Sequence, residues 1–172
     1  WPDSGEIDVV EHYAGDGGLF DFHSGFAESN LHSAPNLIDS SRGRLRRTKI
    51  DPGAWHTYGV EWAPDEIRFF VDGTLTAIHR STDPESVDGG WPFATEPERL
   101  LFDLFLGGPA GPTDPTAMPQ HLLVDWVRGI DLIGPQKFVA MLQRGTLGEK
   151  PIPLQSEVGD LFLERLTGLD AV

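Results

Sequence analysis

Cysteine is absent from the 172 residues, which removes disulfide frameworks, thiolate metal sites and cysteine nucleophiles together and leaves the compartment unreadable from redox chemistry. Positive charge is scarce: 13 Lys and Arg stand against 27 Asp and Glu, a formal net charge of −14 at pH 7. A surface of that sign repels phosphate backbones and anionic lipid, so neither nucleic acid nor a membrane surface is an expected partner. No apolar run approaches the length that crosses a bilayer. A leading Met is missing too, and no charged leader with an apolar stretch precedes Trp1-Pro2; a processed or truncated start is expected, and a signal peptide could have stood upstream.

What remains is an ordinary globular composition, 39% apolar and 23% charged, which argues against disorder and suits one domain with an appendage. Up to residue 133 short β-rich runs alternate with Gly, Pro, Asp and Ser clusters, the spacing of an all-β antiparallel sandwich. Expected strands are Glu6–Tyr13, Ala27–His32, His56–Trp62, Glu66–Asp72, Leu75–Arg80, Arg99–Leu106 and Gln120–Ile130. Asp72-Gly73, set between β-rich runs, predicts a tight hairpin turn. The nearly unbroken apolar run Leu100–Leu106 predicts a strand covered on both faces or lining a cleft, with Asp103 the exception that needs a reason. From residue 134 onward the pattern changes. Pro135, Phe138, Met141, Leu142 and a stop at Gly145 predict a short helix, and Val158, Leu161, Phe162, Leu166 and Leu169 a second, so 134–172 reads as a helical C-terminal extension without evident chemistry.

The densest chemistry lies in Gly5-Glu6-Ile7-Asp8-Val9-Val10-Glu11. Alternation sends Glu6 and Asp8 to one face and Glu11 to the other. A β-bulge at Val9 or Val10 adds one residue and restores Glu11 to the shared face, so a catalytic reading of the motif requires a bulge. With it, two glutamates flank an aspartate near the ~5 Å spacing of the carboxyl pair in retaining glycosidases. One must be ionised to attack while the other stays protonated to donate, a division that crowding and desolvation favour. Two other readings of these acids stand beside it: a solvated strand face, and calcium ligation, which the apolar filling between the acids makes poorer.

The run Trp1–Glu11 resembles the catalytic signature of glycoside hydrolase family 16 in its laminarinase-like, bulge-containing form, and His56–Gly73 and Pro119–Arg128 resemble its following hairpin and closing strand. The resemblance covers roughly residues 1 to 131 in order, and it implies a jelly-roll (concanavalin-like) fold with a cleft on the concave sheet, here lacking the family's N-terminal strands. It also implies retaining, endo-acting hydrolysis of β-1,3 or mixed β-1,3/1,4-glucan. Glu6 is then the nucleophile, Glu11 the general acid/base and Asp8 their modulator, an assignment the residues alone leave open. Agar or carrageenan hydrolysis is the enzyme alternative, and a non-catalytic glycan-binding sandwich the alternative from another class. Gly107-Gly108-Pro109 departs from the family's usual Asn-Trp after the glycines, and Asp103 stands where Asn is common.

Further cleft candidates are Trp1 and Trp91, whose faces suit sugar rings, Asp103, and His32, placed to bond a sugar hydroxyl or a catalytic acid. Trp55, Trp62 and Trp126 read as core. His12 is turned away from the cleft, and with no second ligand at a suitable spacing a zinc site is rejected. No cofactor is required for the chemistry. The resemblance places Asp125 at a structural calcium position, whose usual partners belong to the missing portion. It also implies a polysaccharide partner and a secreted or periplasmic location.

Overall fold

The computed structural model describes residues 4–13, 25–33, 44–96, 98–104, 116, 121–130 and 138–144, with Ile130 and the last run described by backbone only. The elements in order are β1 (Glu6–Glu11), β2 (Phe26–His32), β3 (Arg46–Lys49), β4 (His56–Trp62), β5 (Glu66–Val71), β6 (Thr74–Arg80), α1 (Pro84–Gly89), a 3-10 turn (Pro92–Ala94), β7 (Val124–Ile130) and β8 (Phe138–Arg144). They form a three-stranded antiparallel sheet, β1-β2-β3, and a five-stranded one, β6-β5-β4-β8-β7. Among the described residues no helix is long and apolar enough to cross a membrane.

Apolar side chains at alternate strand positions build the core between the sheets. Tyr58 and Val60 of β4, Ile67 and Phe69 of β5 and Ala77 of β6 are buried from one side, and Ala27 and Leu31 of β2 from the other. Each large side chain so buried contributes about 2 kcal/mol. The opposite face of β4-β5-β6 carries charge: Glu66 pairs with Arg68 at 2.6 Å and Arg80 at 2.7 Å, and Arg68 reaches Glu61 at 3.4 Å. The hairpin is as expected. Val71 pairs with Thr74, and Asp72 and Gly73 both hold positive φ, 50° and 73°, the two-residue turn whose twist matches antiparallel strands. Asp72 then ties the hairpin to β4, accepting from the Thr57 amide at 2.9 Å and meeting His56 Nδ1 at 2.7 Å.

Several expectations are corrected. The helix expected from Pro135 to Gly145 is replaced over Phe138–Arg144 by β8, which pairs with β4 on one side and β7 on the other. The run Phe138-Val139-Ala140-Met141-Leu142 is continuously apolar, a pattern that fits a central strand as well as a helix, and pairing on both edges decides for the strand. The second expected helix lies outside the described residues. The described part of Arg99–Leu106 is not a strand: Leu101, Phe102 and Leu104 are 74%, 43% and 49% exposed, because no described strand pairs with that backbone. β3 was not expected, since Arg-Arg-Thr-Lys offers no apolar alternation; it forms by pairing with β2, Phe26 to Lys49 through Ser29 to Arg46.

Candidate active site

Glu6 and Asp8 lie opposite His32 and Asn30 in the β1–β2 register, and Glu11 lies opposite Glu28. Between Asp8 and Glu11 the first strand advances three positions while its partner advances two, from Asn30 to Glu28. That is the β-bulge the motif requires. Val9 and Val10 show where the extra residue goes: both pack against the core between the sheets, so Glu11 returns to the face of Asp8. Ligand-capable atoms of Asp8, Glu11 and His32 consequently all lie within 4.8 Å of one another.

Hydrogen bonds order this face. His32 Nε2 meets Asp8 Oδ2 at 2.9 Å. Asn30 is fixed by the Leu31 amide, which donates to its Oδ1 at 2.9 Å, so its Nδ2 is turned to the same His32 nitrogen at 3.0 Å. One nitrogen cannot donate to Asp8 and accept from Asn30 in a single state. The Asp8 contact, working against burial, holds the His32 imidazole above its ordinary value and favours the donating form. Glu11 is pushed up to about 7 by burial and then by the Asp8 charge, with a hydrogen bond from Tyr13 and the neighbouring His32 opposing the rise. A carboxyl so placed still holds a proton near neutrality, as a general acid must. A cation among these atoms would have to displace the His32–Asp8 and Tyr13–Glu11 contacts that already use them.

The start of β1 is held from beneath. Gly5 has φ +87°, and a Cβ there would lie 2.6 Å from Phe93 Cε1, 2.7 Å from Pro92 Cγ and 3.2 Å from the His32 carbonyl. Phe93 is fully buried, and its carbonyl accepts from Trp62 Nε1 at 2.8 Å. The segment is locked to the end of β2 by Arg44, which donates to Ser33 Oγ and to the carbonyls of Glu85 and Gly90 at 2.8 to 3.0 Å. Ser33 in turn donates to the Gly89 carbonyl. Glu6 is therefore placed by a glycine resting on a buried ring rather than by strand pairing alone.

Other expected site residues fare differently. Trp91 turns out to be a packing residue: it stacks edge-on with Phe93 at 5.1 Å, packs against the buried cluster between the sheets and donates to the Pro64 carbonyl at 2.7 Å. Those contacts hold one side of it to the core. Asp103 is exposed on the run that does not form a strand. Trp1 and the loop at Gly107–Gly111 lie outside the described residues. Asp125 sits at a register shift between Val124 and Val127 of β7, and belongs to no trio of His, Asp and Glu side chains that could share a metal ion among the described residues. Sequence reasoning missed Tyr13, Asn30, Glu28 and Glu98. Strand register would have found Asn30 and Glu28, opposite Asp8 and Glu11; Glu28 is buried and paired with Arg47 at 2.7 Å. Glu98, distant in sequence, is pushed up to about 7 by burial and then by Glu6, and its Oε1 is buried without a hydrogen-bond partner.

A beta-glucanase of Rhodothermus marinus is 36% identical over 136 residues, covering 74% of this chain and 45% of its own length. An endo-1,3-1,4-beta-glycanase, ExsH, of Rhizobium meliloti is 30% identical over 134 residues, covering 77% and 24% respectively. The chain thus spans less than half the length of these curated relatives. A solved chain described with endo-acting O-glycanases of the human gut microbiota aligns with 92% of this chain and 42% of its own, at 22% identity and a TM-score of 0.41. The family described as Glycosyl hydrolases family 16 matches residues 2–128, and the chain belongs to that family.

Proposed function

We propose that the protein is a retaining, endo-acting hydrolase of β-1,3 or mixed β-1,3/1,4-glucan, in which Glu6 attacks the anomeric carbon and Glu11 supplies and then removes the proton. The single observation that carries the reading is the bulge, which turns Glu11 onto the face of Glu6 and Asp8. The two sheets are read as parts of a jelly roll, with the acid face of β1-β2-β3 as the floor of a cleft.

In the first step Glu6, as the carboxylate, forms a glycosyl ester while Glu11, protonated up to about pH 7, donates to the leaving oxygen. In the second, Glu11 takes a proton from water as that water attacks the anomeric carbon, breaking its bond to Glu6 and releasing that carboxylate. Asp8 has two parts: its charge keeps the Glu11 proton on, and its hydrogen bond to His32 fixes both on the sheet face. The glucan preference rests on the names of the relatives, a beta-glucanase and an endo-1,3-1,4-beta-glycanase. A polysaccharide substrate fits a secreted or periplasmic site of action.

Reducing-sugar release from laminarin, lichenan and agarose tests the proposal. We expect release from the two glucans, reduced to background in Glu6→Gln and Glu11→Gln. Release from agarose alone would replace the glucan reading with a galactan one. Binding without turnover, indifferent to Glu6→Gln, would make the protein a glycan-binding sandwich.

A further inference from the structure

Glu11 is the last residue of β1, and the paired register with β2 ends at Glu11 and Glu28. Beyond that point the chain is secured by side chains: His12 Nδ1 donates to the Phe26 carbonyl at 3.0 Å, and the Tyr13 hydroxyl donates to Glu11 Oε1 at 3.1 Å. A glutamate at a strand end has three side-chain torsions to settle, and backbone pairing settles none of them. The Tyr13 contact does, since it anchors one named oxygen of the carboxyl.

The two oxygens of that carboxyl are made unequal. An oxygen that accepts a phenol O–H serves best as the carbonyl-type oxygen of the neutral acid, which leaves the acid proton to the other oxygen. When the proton leaves, the same hydrogen bond remains and strengthens, because its acceptor is then charged. We propose that Tyr13 is a positioning residue that holds Glu11 through Oε1, so that Oε2 is the oxygen that carries, delivers and recovers the proton. The final step of this inference rests on the hydrolase reading; the hold on the carboxyl does not.

The test uses the whole chain with 13C-labelled glutamate, following the Glu11 side-chain carboxyl by NMR as pH is raised, in wild type and in Tyr13→Phe. Loss of a hydrogen bond that favours the charged form moves the titration upward, by roughly half to one pH unit. Tyr13→Met, which lacks the ring as well, moves it in the same direction if the hydroxyl is the cause. On glucan, the upper limb of the kcat/KM profile shifts up with the carboxyl, and kcat falls about tenfold with KM within twofold. A lowered melting midpoint with an unmoved Glu11 titration and an unmoved limb would make Tyr13 a packing residue and overturn the inference. A titration that shifts in Tyr13→Phe while the wild type shows no turnover would instead remove the hydrolase reading and leave the Tyr13 contact standing.

Discussion

Gly5→Ala is the perturbation whose cost the structure fixes most closely. Two penalties add at this position. The backbone holds φ +87°, a conformation that costs an L-residue roughly 1–2 kcal/mol. The new methyl would also approach Phe93 and Pro92 to 2.6 and 2.7 Å, and Phe93 has no exposed side through which to retreat, so overpacking adds roughly 1–3 kcal/mol. The total, about 2–5 kcal/mol, is a large part of the stability of an ordinary domain. Gly73→Ala supplies the control, because φ there is +73° but nothing lies within 4 Å of the added carbon; only the backbone penalty applies. Urea melts of the two variants against wild type therefore yield a difference of at least about 1 kcal/mol, with Gly5→Ala the less stable. Activity is lost disproportionately in Gly5→Ala, since relief of the clash must move the residue that precedes Glu6. Equal costs for the two variants would refute the claim that a buried ring sets the position of β1.

Two further outcomes are expected. His79 is buried edge-on to Phe69 and held down to about 4 by burial and by Arg46 and Arg44, with Asp83 and Glu85 opposing; the unfolded chain takes up that proton first, so stability is full above pH 6.5 and falls toward pH 4, by as much as roughly 3 kcal/mol, and His79→Phe flattens that part of a pH series of melts. Glu11, raised from 4.5 to about 7, has the opposite sign: the folded state holds its proton longer, so the group is neutral in its effect below about pH 4.5, destabilises increasingly as pH rises from there, and has its full effect above about 7. Glu11→Gln is then more stable than wild type at pH 8 by on the order of 1 kcal/mol after allowance for solvent screening, and no more stable at pH 4; an identical difference at both pH values would contradict the burial of that carboxyl.

The parts of this molecule legible in its sequence are those fixed by local periodicity. The spacing of Glu6, Asp8 and Glu11 demanded a bulge because two-residue alternation cannot place all three on one face, and Asp72-Gly73 announced its turn because both residues tolerate positive φ. The illegible parts depend on partners distant in the chain. Phe138–Leu142 carries a spacing that serves a helix or a central strand, and only pairing with β4 and β7 separates the two. Leu101, Phe102 and Leu104 promised a buried strand, but burial needs a neighbour. Trp91 offered an aromatic face to a cleft and finds its place against Phe93 and the Pro64 carbonyl. At the site, Glu98 joins Glu6 through the fold, and the Tyr13 contact depends on where the bulge leaves the chain.

The stereochemistry of the first product decides the central claim. In 1H NMR of glucan hydrolysis followed from the first minutes, a bulge that sets Glu6 and Glu11 to work as nucleophile and acid/base predicts the β-anomer first, with the α-anomer growing in only by mutarotation. The α-anomer appearing first would mean direct attack by water, and would contradict the roles given to the two glutamates.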